Sequence, residues 1–372
     1  MIRYGFLSTF PPTRCGLATF THSLSTAMAQ DPDAAVRVVR VLDAQEALQP
    51  VPSTIRSAQD VRLLPGDRAS VQRTAAALNA GDVAIVQHEY GIYGGTDGDE
   101  VLQVMRAVQV PIIAVLHTVL AHPTPGQRSV LERVGALAAS VVVMTETART
   151  LLLQHYAVST SKVVLIPHGV HEARTPAPKH DRGRNVLTWG LIGPGKGIEW
   201  GIRAMARLGD PGAHYTVLGQ THPKVLAHEG ERYRDHLRGV IDELGVADSV
   251  TLDDRYLDED GLALAVAAAD VVLLPYDSRE QVTSGVLVEA LAAGLPVVAT
   301  AFPHAVELLD RGPGFVVEHE SPAAIALALE RVFSGAAPAA AGTGPLAVEA
   351  TWSEVASRYE ALTADLLTEV AA

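Results

Sequence analysis

Apolar and polar positions alternate along this chain in two periods that take turns. Short Val- and Ile-rich runs predict strands at Ile2–Leu7, Val36–Leu42, Val83–Gln87, Ile112–Leu116, Val141–Met144 and Val163–Ile166. Between them, apolar residues spaced three and four apart predict helices at Leu17–Ala29, Val71–Leu78, Glu100–Val108, Gln127–Ala138 and Ala148–His155. Residues Glu172–Asn185 lose both periods and carry Pro176, Pro178 and Gly183, so they read as a linker. The alternation then restarts, with strands expected at Val186–Trp189, Tyr215–Leu218, Val250–Leu252, Val271–Leu274, Val297–Ala299 and Phe315–Val317. Its helices are expected at Ile198–Leu208, Glu229–Leu244, Leu262–Ala268, Val286–Ala293 and Pro322–Phe333. Ser334–Pro345 reads as a small-residue loop, and Val348–Leu367 as a last helix with Trp352 and Tyr359 as packing residues.

Strand-helix alternation means βαβ units and parallel sheets, so the fold class is α/β with two Rossmann-like halves. The expected organisation is an N-terminal domain at 1–171, a linker at 172–185, a second domain at 186–347 and a terminal helix at 348–372. Ligands of open α/β sheets bind beyond the carboxyl ends of the strands, which points to a deep cleft between the two halves.

Composition narrows the function. The chain has 372 residues, 48% of them hydrophobic, enough for two real cores. A net charge of −13, with lysine only at Lys162, Lys179, Lys196 and Lys224, argues against nucleic acid as a partner. The richest apolar stretch, Gly285–Phe302, is broken by Glu289 and the Gly294-Leu295-Pro296 turn, so no transmembrane segment is expected. Met1–Leu7 runs into Pro11-Pro12, too short for a secretory signal, and reads as the first strand of a cytoplasmic protein. Cys15 is the sole cysteine, which excludes an intrachain disulfide.

Three stretches carry candidate chemistry. Ser8–Gly16 joins the first strand to the first helix, and Gly16 at the helix mouth would let an anion reach free N–H groups; an ordinary βα turn fits as well. Trp189–Gly197 packs glycines around Lys196, which suits an anion or, alternatively, a solvent-facing lysine. It lacks the P-loop order, since Gly197 follows the lysine. In the third, a buried strand at Val271–Leu274 leads through Gln281 to Ser284 and Gly285, which open a helix carrying Glu289 four residues on and on the same face. A glutamate among Val288, Ala290 and Leu291 is costly to bury without a partner, which points to a bound ligand rather than a surface role. On the N-terminal side stand His88-Glu89-Tyr90 with Gly94-Gly95, and His117 with His122; two imidazoles and a carboxylate invite a metal reading, but no D-x-D pattern accompanies them and no metal is expected.

Together with the Leu291–Thr300 stretch, these motifs resemble those of the GT-B-fold, family 4 type of retaining glycosyltransferases (glycosyl transferases group 1). The resemblance implies that Lys196 neutralises a donor diphosphate, that Gly16, Ser284, Gly285, Val286 and Leu287 add donor contacts, and that Glu289 holds the ribose. It places His117 near the transferred sugar and Cys15, Glu89 and Tyr90 on the acceptor side, with the terminal helix returning to the N-terminal half. Two positions depart from the family: Gln281 stands where a first glutamate is usual, and Leu191 where an arginine is frequent. The implied activity moves a hexose, mannose first, from a GDP- or UDP-linked sugar to a carbohydrate or other hydroxyl acceptor, without a cofactor. A nucleotide-sugar epimerase or isomerase of the same fold, and a non-catalytic nucleotide-sugar-binding protein, are the alternatives.

Overall fold

A computed structural model describes residues 1–43, 46–48, 61–171, 184–310, 313–336 and 350–371. These fall into two compact units, Met1–Gly169 with Ala350–Ala372, and Val170–Glu349.

The first unit runs β1 (Ile2–Ser8), α1 (Gly16–Met28), β2 (Ala34–Val41), β3 (Arg62–Leu63), α2 (Arg68–Asn79), β4 (Val83–His88), α3 (Val101–Ala107), β5 (Ile112–Leu116), α4 (Pro125–Leu137), β6 (Ser140–Val143), α5 (Glu146–His155) and β7 (Val163–Leu165). Its strands form one parallel sheet in the order β3-β2-β1-β4-β5-β6-β7. Every residue of β4 and β5 is buried, as expected of strands covered on both faces. Thr124 and Gln127 close a capping box that starts α4, with Pro125 in its first turn.

The second unit runs β8 (Arg184–Trp189), α6 (Ile198–Leu208), β9 (Ala213–Leu218), α7 (Pro223–Glu229), α8 (Arg232–Leu244), β10 (Val250–Asp253), α9 (Glu259–Ala268), β11 (Val271–Leu274), α10 (Gly285–Ala292), β12 (Val297–Thr300), α11 (Pro303–Leu309), β13 (Gly314–Val317) and α12 (Pro322–Phe333). Its sheet is also parallel, in the order β10-β9-β8-β11-β12-β13. Period-two alternation divides the strand side chains between two cores. Val271 and Leu273 pack with Tyr215 and Ile202 on one face, while Val272 and Leu274 pack with Tyr276, Leu287 and Phe302 on the other.

A last helix, α13 (Trp352–Ala371), belongs to the first unit. Trp352, Val355 and Tyr359 enter the core formed by Phe6, Phe20 and Leu24, and the Trp352 ring meets Phe20 edge-on at 5.0 Å. The protein is therefore GT-B: two Rossmann-like lobes with a C-terminal helix returning to the first. In each sheet the order reverses beside the first strand, between β1 and β4 and between β8 and β11. Those reversals are the switch points at which doubly wound sheets receive ligands.

Some sequence expectations need correction. The helix foreseen at Glu229–Leu244 is α8, which starts at Arg232, and a separate unforeseen helix, α7, precedes it and ends where Gly230 takes φ +65°. The edge strand β3 is too short to show alternation, and α11 is a two-turn helix behind Pro303 that shows no sustained period. β8 opens at Arg184, inside the expected linker; residues 172–183 of that linker and 337–349, which include most of the expected small-residue loop, lie outside the described residues. Among the described residues, no helix is long and apolar enough to cross a membrane.

Candidate functional site

At the switch point of the second unit, the loop from Gly190 to Gly197 leaves β8 and folds onto the segment leaving β11. Gly197 adopts φ +60° and lies against the Pro275 carbonyl, where any side chain would collide. The Asp277 N–H donates to the Gly195 carbonyl at 3.0 Å, and the Trp200 indole donates to Asp277 at 2.8 Å. This stitching lays Lys196 across Tyr276, with Nζ 4.1 Å from the ring centroid. Among the described residues no carboxylate pairs with Lys196, so its charge is supported by the ring face, a contact of about 0.5 to 2 kcal/mol. Tyr276 is itself fixed: it stacks on Phe302 at 5.3 Å, and its carbonyl accepts from Thr300 Oγ1 at 2.6 Å.

The neighbouring helix α10 begins at Ser284, whose Oγ accepts from the Leu287 N–H at 3.3 Å. The Ser284 N–H donates to His304 Nδ1 at 2.8 Å, and the His304 N–H donates to the Gln281 carbonyl at 3.2 Å. Buried His304 thus ties α11 to the mouth of α10. Gly285 and Val286 lead the helix with N–H groups that have no acceptor inside it, a ready anion site. The Gln281 side chain donates to the Thr283 carbonyl at 3.1 Å, so it braces its own loop. One turn into α10, Glu289 is half-buried. Burial pushes its carboxyl up to about 7; a hydrogen bond from Trp189 opposes that shift and the charge of Glu259 adds to it. Lys196, the α10 mouth and Glu289 belong to the two loops of one switch point.

In the first unit, Cys15 is the N-cap of α1: its Sγ accepts from the Ala18 N–H at 3.4 Å and lies 3.2 Å from Thr9 Oγ1. Gly16 follows with open space where a side chain would stand. After β5, His117 Nε2 lies 2.6 Å from Gln87 Oε1, and its ring meets Phe20 edge-on at 4.8 Å. Burial pushes the His117 pKa down to about 3, helped by His168 and then His88. His88 lies wholly buried with neither ring nitrogen hydrogen-bonded, and burial lowers its pKa to about 4. The Thr118 hydroxyl donates to the Glu89 carboxylate. Tyr90 packs on His88 at 5.1 Å, and burial raises its phenol pKa. Among the described residues, no three His, Cys, Asp or Glu side chains converge as a metal site.

The two histidines set an acid limit on this unit. Both bind fewer protons folded than unfolded below pH 6.5, so their contribution to stability falls as pH drops from about 6.5 toward 4. The expected slope approaches 1.4 kcal/mol per pH unit for each, read from urea midpoints between pH 7 and 4.5. His88→Leu should flatten that slope by about half; an unchanged slope would mean that His88 charges freely in the folded state.

Sequence reasoning placed Lys196, Ser284 and Glu289 but assigned no role to Tyr276, Trp189, His304 or Gln87, which hold them or His117. Nothing in the local pattern marks these partners, because each lies on another element.

Residues 183–334 match the model of the glycosyl transferases group 1 family. Sucrose-phosphate synthase from Thermosynechococcus elongatus superposes with a TM-score of 0.72 at 18% identity, covering 99% of this chain and 100% of its own. HepE from Anabaena, in complex with UDP and glucose, gives 0.67 at 16% identity, covering 100% of this chain and 98% of its own. A glycosyltransferase from Rickettsia africae gives 0.70 at 14% identity, with 98% and 99% covered. No curated protein matches the chain by sequence. Likeness at these identities establishes the GT-B fold along the full chain. The match to the glycosyl transferases group 1 family falls within the second unit, and the chain as a whole shares the GT-B fold of these solved structures.

Proposed function

We propose that this protein is a retaining, metal-independent hexosyltransferase of the cytoplasm. It takes its sugar from a nucleoside diphosphate donor and passes it to the hydroxyl of a carbohydrate or other small acceptor. The observation that carries this reading is the switch point of the second unit, where a lysine with no carboxylate partner among the described residues, the N–H groups opening α10 and a half-buried carboxylate gather. A diphosphate suits the first two and a ribose hydroxyl pair suits the third. Lys196 and the helix mouth would then stabilise charge that grows on the departing diphosphate, where fixed donors contribute most. In the first unit, the reading assigns Gly16 to donor binding, His117 to the sugar, and Cys15, Glu89 and Tyr90 to the acceptor. Gln281 would accept from a sugar hydroxyl through Oε1 while its amide nitrogen braces the loop. GDP-mannose is the first donor to try and a UDP-hexose the second; HepE was captured with UDP and glucose.

The test is a melting and turnover panel with GDP, UDP and ADP and their hexose conjugates, in EDTA. One nucleotide should raise the melting temperature, and its sugar conjugate should release free nucleotide faster when acceptor is added, with the product keeping the donor's anomeric configuration. Conversion to an isomeric nucleotide sugar with no acceptor would favour an epimerase, and a shift without turnover would leave a binding protein. No shift from any nucleotide would sink the donor-site assignment.

A further inference from the structure

We infer that Gln87 is a positioning residue that fixes the proton of His117, holding it on Nε2 so that Nδ1 presents a lone pair. The last two residues of β4, Gln87 and His88, point to opposite faces of the sheet. Gln87 lies wholly buried on the face that carries Ile85, Val115 and Phe20, and its Oε1 sits 2.6 Å from His117 Nε2. Its carbonyl is separately anchored by the Tyr93 hydroxyl at 2.7 Å, which fixes the backbone that presents the amide.

A neutral imidazole has one donor and one acceptor, and the partner of one nitrogen decides the state of the other. The amide oxygen can only accept, so the facing Nε2 carries the proton. Nδ1 has no partner among the described residues and is left to accept from a hydroxyl. Burial keeps the ring neutral, and the neighbouring imidazoles would oppose its charging further. The titratable groups facing it are His168 beyond β7 and His88 on β4, both cationic when charged, while α1 and α13 contribute Phe20 and Trp352 around the same cluster. Among the described residues no carboxylate opposes these effects. A ring so placed is a poor base, and it serves as a hydrogen-bond acceptor that orients a hydroxyl. In an alternative arrangement Nδ1 would donate, and a hydroxyl would have to turn its oxygen toward the ring. This inference rests on the preceding reading only for the identity of that hydroxyl, which belongs to the sugar or its acceptor.

The first measurement needs no substrate. Nitrogen-15 spectra of the histidine rings in the wild-type protein should show His117 with Nε2 protonated and Nδ1 bare from pH 5.5 to 8; the reverse tautomer would overturn the inference. Gln87→Glu should then bring a carboxylate against Nε2 and raise the His117 pKa by roughly two units or more, so that the ring begins to titrate in that range. A His117 titration unmoved in folded Gln87→Glu would also overturn it. In turnover, Gln87→Leu should lower kcat/KM by about tenfold to a hundredfold at every pH. Gln87→Glu should recover most of that loss at pH 8 and lose it again as pH falls, since protonated Nδ1 can no longer accept. The quantity to plot is the ratio of each variant to wild type, which cancels titrations elsewhere in the protein. Equal, pH-independent ratios for the two variants would mean that Gln87 only fills space. A protein that transfers no sugar defeats the glycosyltransferase reading alone, and the ring spectra still decide the pairing.

Discussion

Lys196→Ala is expected to lower kcat/KM for the sugar donor by about 10² to 10³-fold, with little change in melting temperature. Removing one fixed donor from a site of developing negative charge costs roughly 3 to 4 kcal/mol at the transition state. The folded protein hardly depends on this lysine: it lies half-buried, and among the described residues it has no carboxylate partner, only the Tyr276 ring at 4.1 Å. Losing that contact costs about 1 kcal/mol or less. Lys196→Arg should recover part of the activity, since charge remains while the compact ammonium is replaced by a planar fork. Steady-state kinetics and a calorimetric melt on the same preparations check both halves. An alanine variant with wild-type kcat/KM would remove the diphosphate from this loop, and one that melts much earlier would make Lys196 a structural residue.

Glu289→Gln is expected to have opposite effects on binding and on stability. Burial raises the Glu289 carboxyl from 4.5 to about 7, so the folded state holds a proton that the unfolded state has released between those values. Stability from this group therefore falls as pH rises from 4.5 through 7, by an amount on the order of 3 kcal/mol that its partial exposure reduces. The glutamine variant has no such charge to bury, so it should melt above wild type at pH 8 and near it at pH 5. Ribose hydroxyls donate best to the ionised carboxylate, so donor binding should release a proton and tighten as pH rises from 6 to about 7.5. In Glu289→Gln that pH dependence should vanish and affinity should drop by about tenfold to a hundredfold, the value of hydrogen bonds to a charged acceptor. Titration calorimetry in two buffers of different ionisation enthalpy measures the proton directly. A wild-type affinity flat across this range would mean that Glu289 does not meet the ligand.

How much of this was legible beforehand depends on how local each cause is. Glu289 could be placed on the face that follows Gly285 because four residues make about one helical turn, and its burial followed from Val288, Ala290 and Leu291 beside it. Lys196 stood out because glycines surround it. What holds these residues was hidden. The Tyr276 ring beneath the ammonium comes from the far side of the switch point, and His304 reaches Ser284 across 20 residues through a helix too short to announce itself. Gln281 could be read as the place of a missing carboxylate but not as a residue turned back onto Thr283. The short helix α7 escaped because none of its residues is buried, so it carries no apolar face to announce it.

The sequence by itself determined the alternation of strands and helices, two sheets' worth of buried apolar runs, and the glycine-rich turns and caps at their ends, because each of these depends on side chains within a turn or a strand of one another. Tertiary structure decided the rest. Crossover connections placed β1 beside β4 and β8 beside β11, making the switch points, and the period of Trp352, Val355 and Tyr359 said only that α13 had an apolar face, not that α1 would receive it. The same holds for the protonation of His117 and Glu289: a pKa is set by what surrounds a group in space, and those surroundings arrive from elements that the chain visits far apart.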